Sequence, residues 1–140
     1  MRRTIPIPKT HYKVGRSSAG LGIFATNTIT PGMYMEYVGT TIPTSEANKK
    51  HGAKYLFEIN KHWTIDGSPR SNTARYFNHS CTPNCESTQT KTHVYIMATR
   101  TIKNGEELTY DYGEEYVNEF IKPYGCRCRT CAKKSAVSNA

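Results

Sequence analysis

Hydrophobic residues in this chain alternate more often than they recur at helical spacing. HYKV sets Tyr12 and Val14 on one side, and GLGIFAT follows a Ser-Ser-Ala turn. In GMYMEYVG, Met33, Met35 and Tyr37 fall on one face, with Tyr34, Glu36 and Val38 on the other. KYLFEI groups Tyr55, Phe57 and Ile59, and HWTID groups Trp63 and Ile65. HVYIMA aligns Val94, Ile96 and Ala98, and ELTYDY aligns Leu108, Tyr110 and Tyr112. Each run is short and bounded by Gly, Pro, Asn or Asp, the pattern of a mostly β domain. Helical signals are few. PTSEANKK predicts a short helix with Thr44 or Ser45 as its cap. EEYVNEFI predicts about two turns, pairing Tyr116 with Phe120 and Val117 with Ile121. Residues 1–9, with Pro6 and Pro8, read as an N-terminal arm that is poorly ordered, and residues 133–140 as a small, polar, flexible tail.

A length of 140 residues fits one compact domain with a modest core. The formal charge of +8 adds solubility and non-specific attraction to polyanions, so nucleic-acid contact is one expectation. The basic residues are scattered, however, and name no nucleic-acid motif. No apolar run is long enough to span a membrane, and MRRTIPIPKT lacks an apolar signal core. A soluble, intracellular protein is expected. Ten tyrosines are many for this length, and tyrosine suits half-buried channels and interfaces.

All five cysteines lie in two clusters, Cys81 and Cys85 in RYFNHSCTPNC, and Cys126, Cys128 and Cys131 in YGCRCRTC. An odd count without a signal peptide argues against a disulfide framework and for a metal site. Structural zinc takes four ligands in a tetrahedron. Three come from the C-x-C-x2-C tail cluster, and the fourth from Cys81 or Cys85, with His79 a candidate by residue type. Such a bond clips the C-terminus to the middle of the chain and contributes folding free energy.

RYFNHSCTPN followed by GEELTYDYG resembles the double signature of SET-domain protein lysine methyltransferases. SAGLGIFAT resembles that family's first Gly-x-Gly segment and YMEYVG its following strand. KYLFEI and HWTIDG fall where the family has its middle strands, and YGCRCRTC resembles its post-SET cysteine cluster. The resemblance runs from about residue 10 to about 132. It implies a fold of small curved β-sheets with a C-terminal pseudoknot, few short helices and a zinc-bound tail. A SET domain is then expected over 10–116 and a post-SET-like segment over 117–132.

The resemblance also implies roles. S-adenosylmethionine is the methyl donor, and a substrate lysine meets it in a narrow channel. Tyr112 matches the active-site tyrosine, and Tyr37 a tyrosine lining the lysine channel. Tyr110 matches a position that is Phe or Tyr in the family. A hydroxyl there hinders rotation of an already methylated amine, which predicts mono-methylation, with di-methylation secondary. Asn78 and His79 match the Asn-His pair of the cofactor site, with Arg75, Tyr76 and Tyr55 beside it. Gly20, Leu21 and Gly22 match the loop that approaches the methionine moiety, where glycine permits close backbone approach. Cys81 is the implied zinc ligand with Cys126, Cys128 and Cys131, and Cys85 is left as a structural or free thiol. The C-x-C-x2-C spacing is shorter than the common C-x-C-x4-C form. The family's aromatic after the third cysteine is replaced by Ala132, Lys133 and Lys134, with Tyr124 a candidate substitute.

The expected function is therefore protein-lysine methylation of a histone or histone-like basic tail, at the nucleus or chromatin. The absence of flanking domains points toward bacterial or viral forms, and so toward a host nucleus. Glu114, Glu115 and Glu119 could supply acidic complementarity to a basic tail. Two other classes remain at this level: a non-catalytic SET-fold interaction module, and a basic zinc-containing nucleic-acid binder. Loss of Tyr112 or of the Asn-His pair would mark the first, and neither is lost.

Overall fold

The computed structural model describes residues 4–18, 20–49 and 55–113. Eleven strands are found there: β1 (Ile5–Pro6), β2 (Tyr12–Ser17), β3 (Gly20–Ala25), β4 (Met33–Tyr37), β5 (Thr40–Pro43), β6 (Leu56–Glu58), β7 (Trp63–Asp66), β8 (Asn78–His79), β9 (Cys85–Gln89), β10 (Val94–Ala98) and β11 (Glu107–Tyr110). One α-helical turn, α1 (Thr44–Ala47), and two 3₁₀ turns, Lys9–His11 and Thr73–Tyr76, complete the set. The mostly β reading holds. No helix among the described residues is long and apolar enough to cross a membrane. The EEYVNEFI helix, the post-SET-like segment and the threaded C-terminal passage fall outside the described residues.

The first sheet has the order β1-β4-β10-β9. Alternation decides its faces. Tyr37 lies opposite Val94 and Met35 opposite Ile96, all turned to the core, while Tyr34 and Glu36 face the other way. The N-terminal arm is not loose over its second half. Ile5 and Pro6 pair in parallel with Met33 and Tyr34, and the Ile7 N–H donates to the Tyr34 carbonyl at 2.7 Å. Proline is tolerated because β1 is an edge strand, and burial of Ile7 anchors the segment.

The second sheet has the order β2-β3-β11-β8 and carries most of the candidate chemistry. β2 and β3 form a hairpin with Val14 opposite Ile23. The four residues of β11 change partner halfway. Glu107 and Leu108 pair antiparallel with Phe24 and Ile23, whereas Thr109 and Tyr110 pair parallel with Asn78 and His79. Buried Asn84 supports this crossover. Its Nδ2 donates to the Glu107 carbonyl at 2.8 Å, and its Oδ1 accepts from the Thr109 N–H at 2.9 Å.

The third sheet has the order β5-β7-β6. The helix predicted near Thr44 forms, but without a side-chain cap, and Pro43 holds the N-cap position. The Thr44 hydroxyl instead turns inward, bonding to the Asn60 carbonyl and to Thr64 Oγ1. Ile23, Ile29, Val94, Ile96, Ala98, Ile102 and Leu108 are wholly buried in one core cluster that joins the sheets.

Candidate active site

The inward faces of the sheets bring an aromatic row together. Tyr37 ends β4, and its ring centroid lies 5.3 Å from that of Phe57 in β6. Phe57 stacks on Tyr110 at 6.4 Å, and Tyr110 packs on Tyr112 at 4.9 Å. Phe77 meets Tyr110 edge-on at 6.0 Å, and His79 lies 5.4 Å from Tyr112. The three tyrosines singled out from the sequence thus form one continuous surface. Phe57 and Phe77, not singled out, complete it.

Tyr37 and Tyr112 are each held at the hydroxyl end. The Tyr37 hydroxyl donates to the Tyr55 carbonyl at 2.9 Å, an oxygen that also accepts the Gly67 N–H. Gly67 must be glycine here, because a Cβ would lie 2.3 Å from Tyr37 Cε1 and 2.6 Å from Asn72 Nδ2. Asn72 is fully buried and ties two chain segments together: its Oδ1 accepts the Val38 N–H and its Nδ2 donates to the Gly67 carbonyl. Sequence reasoning passed over both Asn72 and Asn84, since nothing local distinguishes a buried asparagine from a turn asparagine.

Tyr112 is gripped twice by the segment around β8. Its hydroxyl donates to the Phe77 carbonyl, and its N–H donates to His79 Nδ1 at 3.1 Å. Because Nδ1 accepts, a neutral His79 carries its proton on Nε2, which lies 3.6 Å from Cys81 Sγ. Burial pushes the His79 imidazole below its usual range, opposed by the Asp111 carboxylate 3.7 Å away.

Asn78, beside it, reaches the β2–β3 hairpin. Its Nδ2 lies 3.0 Å from Ser17 Oγ, 2.9 Å from the Leu21 carbonyl and 2.8 Å from Glu107 Oε2. Gly20 opens β3 at φ +101°, Leu21 is exposed, and Gly22 sits beneath the Asn78–Glu107 contact. The predicted cofactor residues therefore cluster in two groups. Gly20, Leu21, Gly22, Asn78 and His79 lie around β3 and β8. Arg75 forms the second group, its guanidinium 4.2 Å from the Tyr55 ring centroid and 5.4 Å from that of Tyr76. The Arg75 guanidinium donates to the Ser68 carbonyl, while its Nε is buried without a hydrogen-bond partner among the described residues.

Of the expected metal ligands only Cys81 is described, exposed in the loop after β8. Cys126, Cys128 and Cys131 lie outside the described residues, among which no group of three or more metal-ligating side chains occurs. Cys85 is buried at the start of β9, where burial pushes its thiol up to about 12. A thiol so disfavoured as thiolate suits a packing role.

The family model for the SET domain matches residues 20–113. The chain belongs to the SET-domain family. Among curated relatives it is 36% identical over 137 residues to the histone-lysine N-methyltransferase set-2 of Caenorhabditis elegans, an alignment covering 88% of this chain and 9% of the relative. It is 35% identical over 127 residues to the human histone-lysine N-methyltransferase 2D, covering 81% of this chain and 2% of that protein. With the histone-lysine N-methyltransferase ASHH3 of Arabidopsis thaliana it shares 34% identity over 151 residues, covering 94% of this chain and 41% of the relative. The chain spans well under two thirds of the length of each of these relatives.

Proposed function

We propose that this SET domain is an S-adenosylmethionine-dependent protein-lysine N-methyltransferase acting on a lysine in a histone or histone-like basic tail, at the nucleus or chromatin. The observation that carries the reading is the double grip of Phe77 and His79 on Tyr112, which fixes the predicted methyl-transfer tyrosine to the predicted cofactor segment. The names of the relatives, all histone-lysine N-methyltransferases, support it.

The donor set suits the cofactor. Arg75 Nε is a buried, unpartnered donor among the described residues, bracketed by Tyr55 and Tyr76. Gly22 keeps the β3 backbone bare where Asn78 approaches it, since a Cβ would fall 2.9 Å from Asn78 Nδ2. Asn78, His79, Arg75, Tyr55, Tyr76 and the Gly20–Gly22 backbone would hold the cofactor, which supplies a sulfonium-activated methyl group when bound.

The remaining work belongs to the chain. A free lysine has a pKa of about 10.4, and only its neutral form attacks. Tyr37 and Tyr110 are buried and Phe57 packs between them, an aromatic lining that disfavours the ammonium. Their ring faces accommodate a methylated cation. The Tyr112 proton is committed to the Phe77 carbonyl, so the phenolic oxygen serves as an acceptor. An acceptor there suits an amine N–H or a polarised methyl C–H. Holding the lone pair on line is a positioning effect, which fixed rings supply well.

Radiolabelled methyl transfer onto histones and onto the proteins of a cell lysate tests the function. Wild-type protein should label a protein band, and Tyr112→Phe should reduce the rate on the order of 10²-fold. No transfer to any protein would remove the enzyme reading.

A further inference from the structure

Glu107 lies outside every role assigned so far, yet its carboxylate sits at the centre of the predicted cofactor group. Glu107 Oε2 lies 2.8 Å from Asn78 Nδ2, and a Cβ on Gly22 would fall 2.3 Å from the same oxygen. Two of the three groups facing that side-chain nitrogen, the Leu21 carbonyl and the Glu107 carboxylate, can only accept hydrogen bonds. An amide oxygen turned toward them would meet two like partial charges. The chemistry therefore fixes which end of the Asn78 amide points inward: the NH₂ toward β3 and Glu107, the Oδ1 away from them. The Leu21 carbonyl is backbone and supplied by any sequence, so Glu107 is the side chain that holds this orientation.

We infer that Glu107 is a positioning residue, locking the Asn78 amide so that its oxygen is presented as an acceptor to the N–H donor of the cofactor's amino-acid part. This inference rests on the proposed cofactor. Gly22 is a second requirement of the same lock, because any side chain there displaces the carboxylate from Asn78.

Calorimetric titration of purified protein with S-adenosylmethionine and with S-adenosylhomocysteine tests the lock without turnover. Glu107→Ala should weaken both about tenfold, the size of one lost charge-assisted hydrogen bond. Glu107→Gln keeps an acceptor oxygen and loses the charge, and should recover most of the affinity. In an Asn78→Ala background, Glu107→Ala should add less than about twofold, because coupled residues are not additive. Thermal melts of each variant identify loss of fold. Glu107→Ala binding as tightly as wild type would overturn the inference while leaving the cofactor reading intact. So would a Gln variant as weak as Ala, or full additivity with Asn78→Ala. Wild-type protein that binds neither compound would overturn the cofactor reading, and the lock with it.

Discussion

Tyr110 shows how a single hydroxyl can be asked to set a product. Its ring is buried between Phe57, Phe77 and Tyr112, so its position is fixed by three neighbours. Tyr110→Phe keeps all of those ring contacts and removes only the oxygen. Under the proposed function the space gained lets a methylated amine rotate, so the main product should move from mono-methyl toward di- and trimethyl-lysine. Mass spectrometry of a methylated peptide reads this directly. A wild-type enzyme that makes chiefly trimethyl-lysine would refute the assignment.

At the scale of elements, the decisive piece is β11, whose four residues carry Glu107, the core residue Leu108 and Tyr110. It belongs to β3 at one end and to β8 at the other, and Asn84 makes the change of partner tolerable by bonding both Glu107 and Thr109. Asn84→Leu would take their Asn84 partner from the part-buried Glu107 carbonyl and Thr109 N–H, at about 1–3 kcal/mol each. Chemical denaturation should report a loss of about 2–6 kcal/mol, and a loss below about 0.5 kcal/mol would exclude the bracing role.

The same region shows what the sequence could and could not disclose. β4, β10 and β11 were legible because alternating apolar residues reach a common core, whereas in β7 Ile65 reaches it and Trp63 stays exposed. β5, in TTIP, and β9, in CESTQ, were not, because both are edge strands with mostly exposed side chains and no face to mark. The aromatic row was legible at Tyr37, Tyr110 and Tyr112 through the family resemblance. Asn72, Asn84, Glu107 and Gly67 were not, because each is defined by partners at least two strands away or by an atom that is missing. The hydroxyl of Thr44 misled for a related reason: a cap is a local bargain, and a buried partner across the sheet overrode it.

For the molecule as a whole, the charge of +8 and the tail cysteines are the properties no single strand explains. We propose that Cys81, Cys126, Cys128 and Cys131 hold a structural zinc, an all-thiolate set of the kind that metal favours. Cys81 follows β8 by two residues, so such a metal would anchor the loop that ends the cofactor segment. Elemental analysis of purified protein should give about one zinc per chain, by the stoichiometry of a four-thiolate site. Treatment with a strong chelator should lower the melting temperature and cofactor affinity together. Retention of both after complete metal removal would dismiss the zinc.

The double hold on Tyr112 reaches further than the placement of one ring. Residues 77 to 79 are at once the floor under the tyrosine hydroxyl and part of the predicted donor pocket. Two ligands that meet on opposite sides of such a shared segment cannot be energetically independent if either one shifts it. Linkage then makes the effect mutual: the factor by which the methyl donor changes affinity for the lysine peptide is the factor by which the peptide changes affinity for the donor.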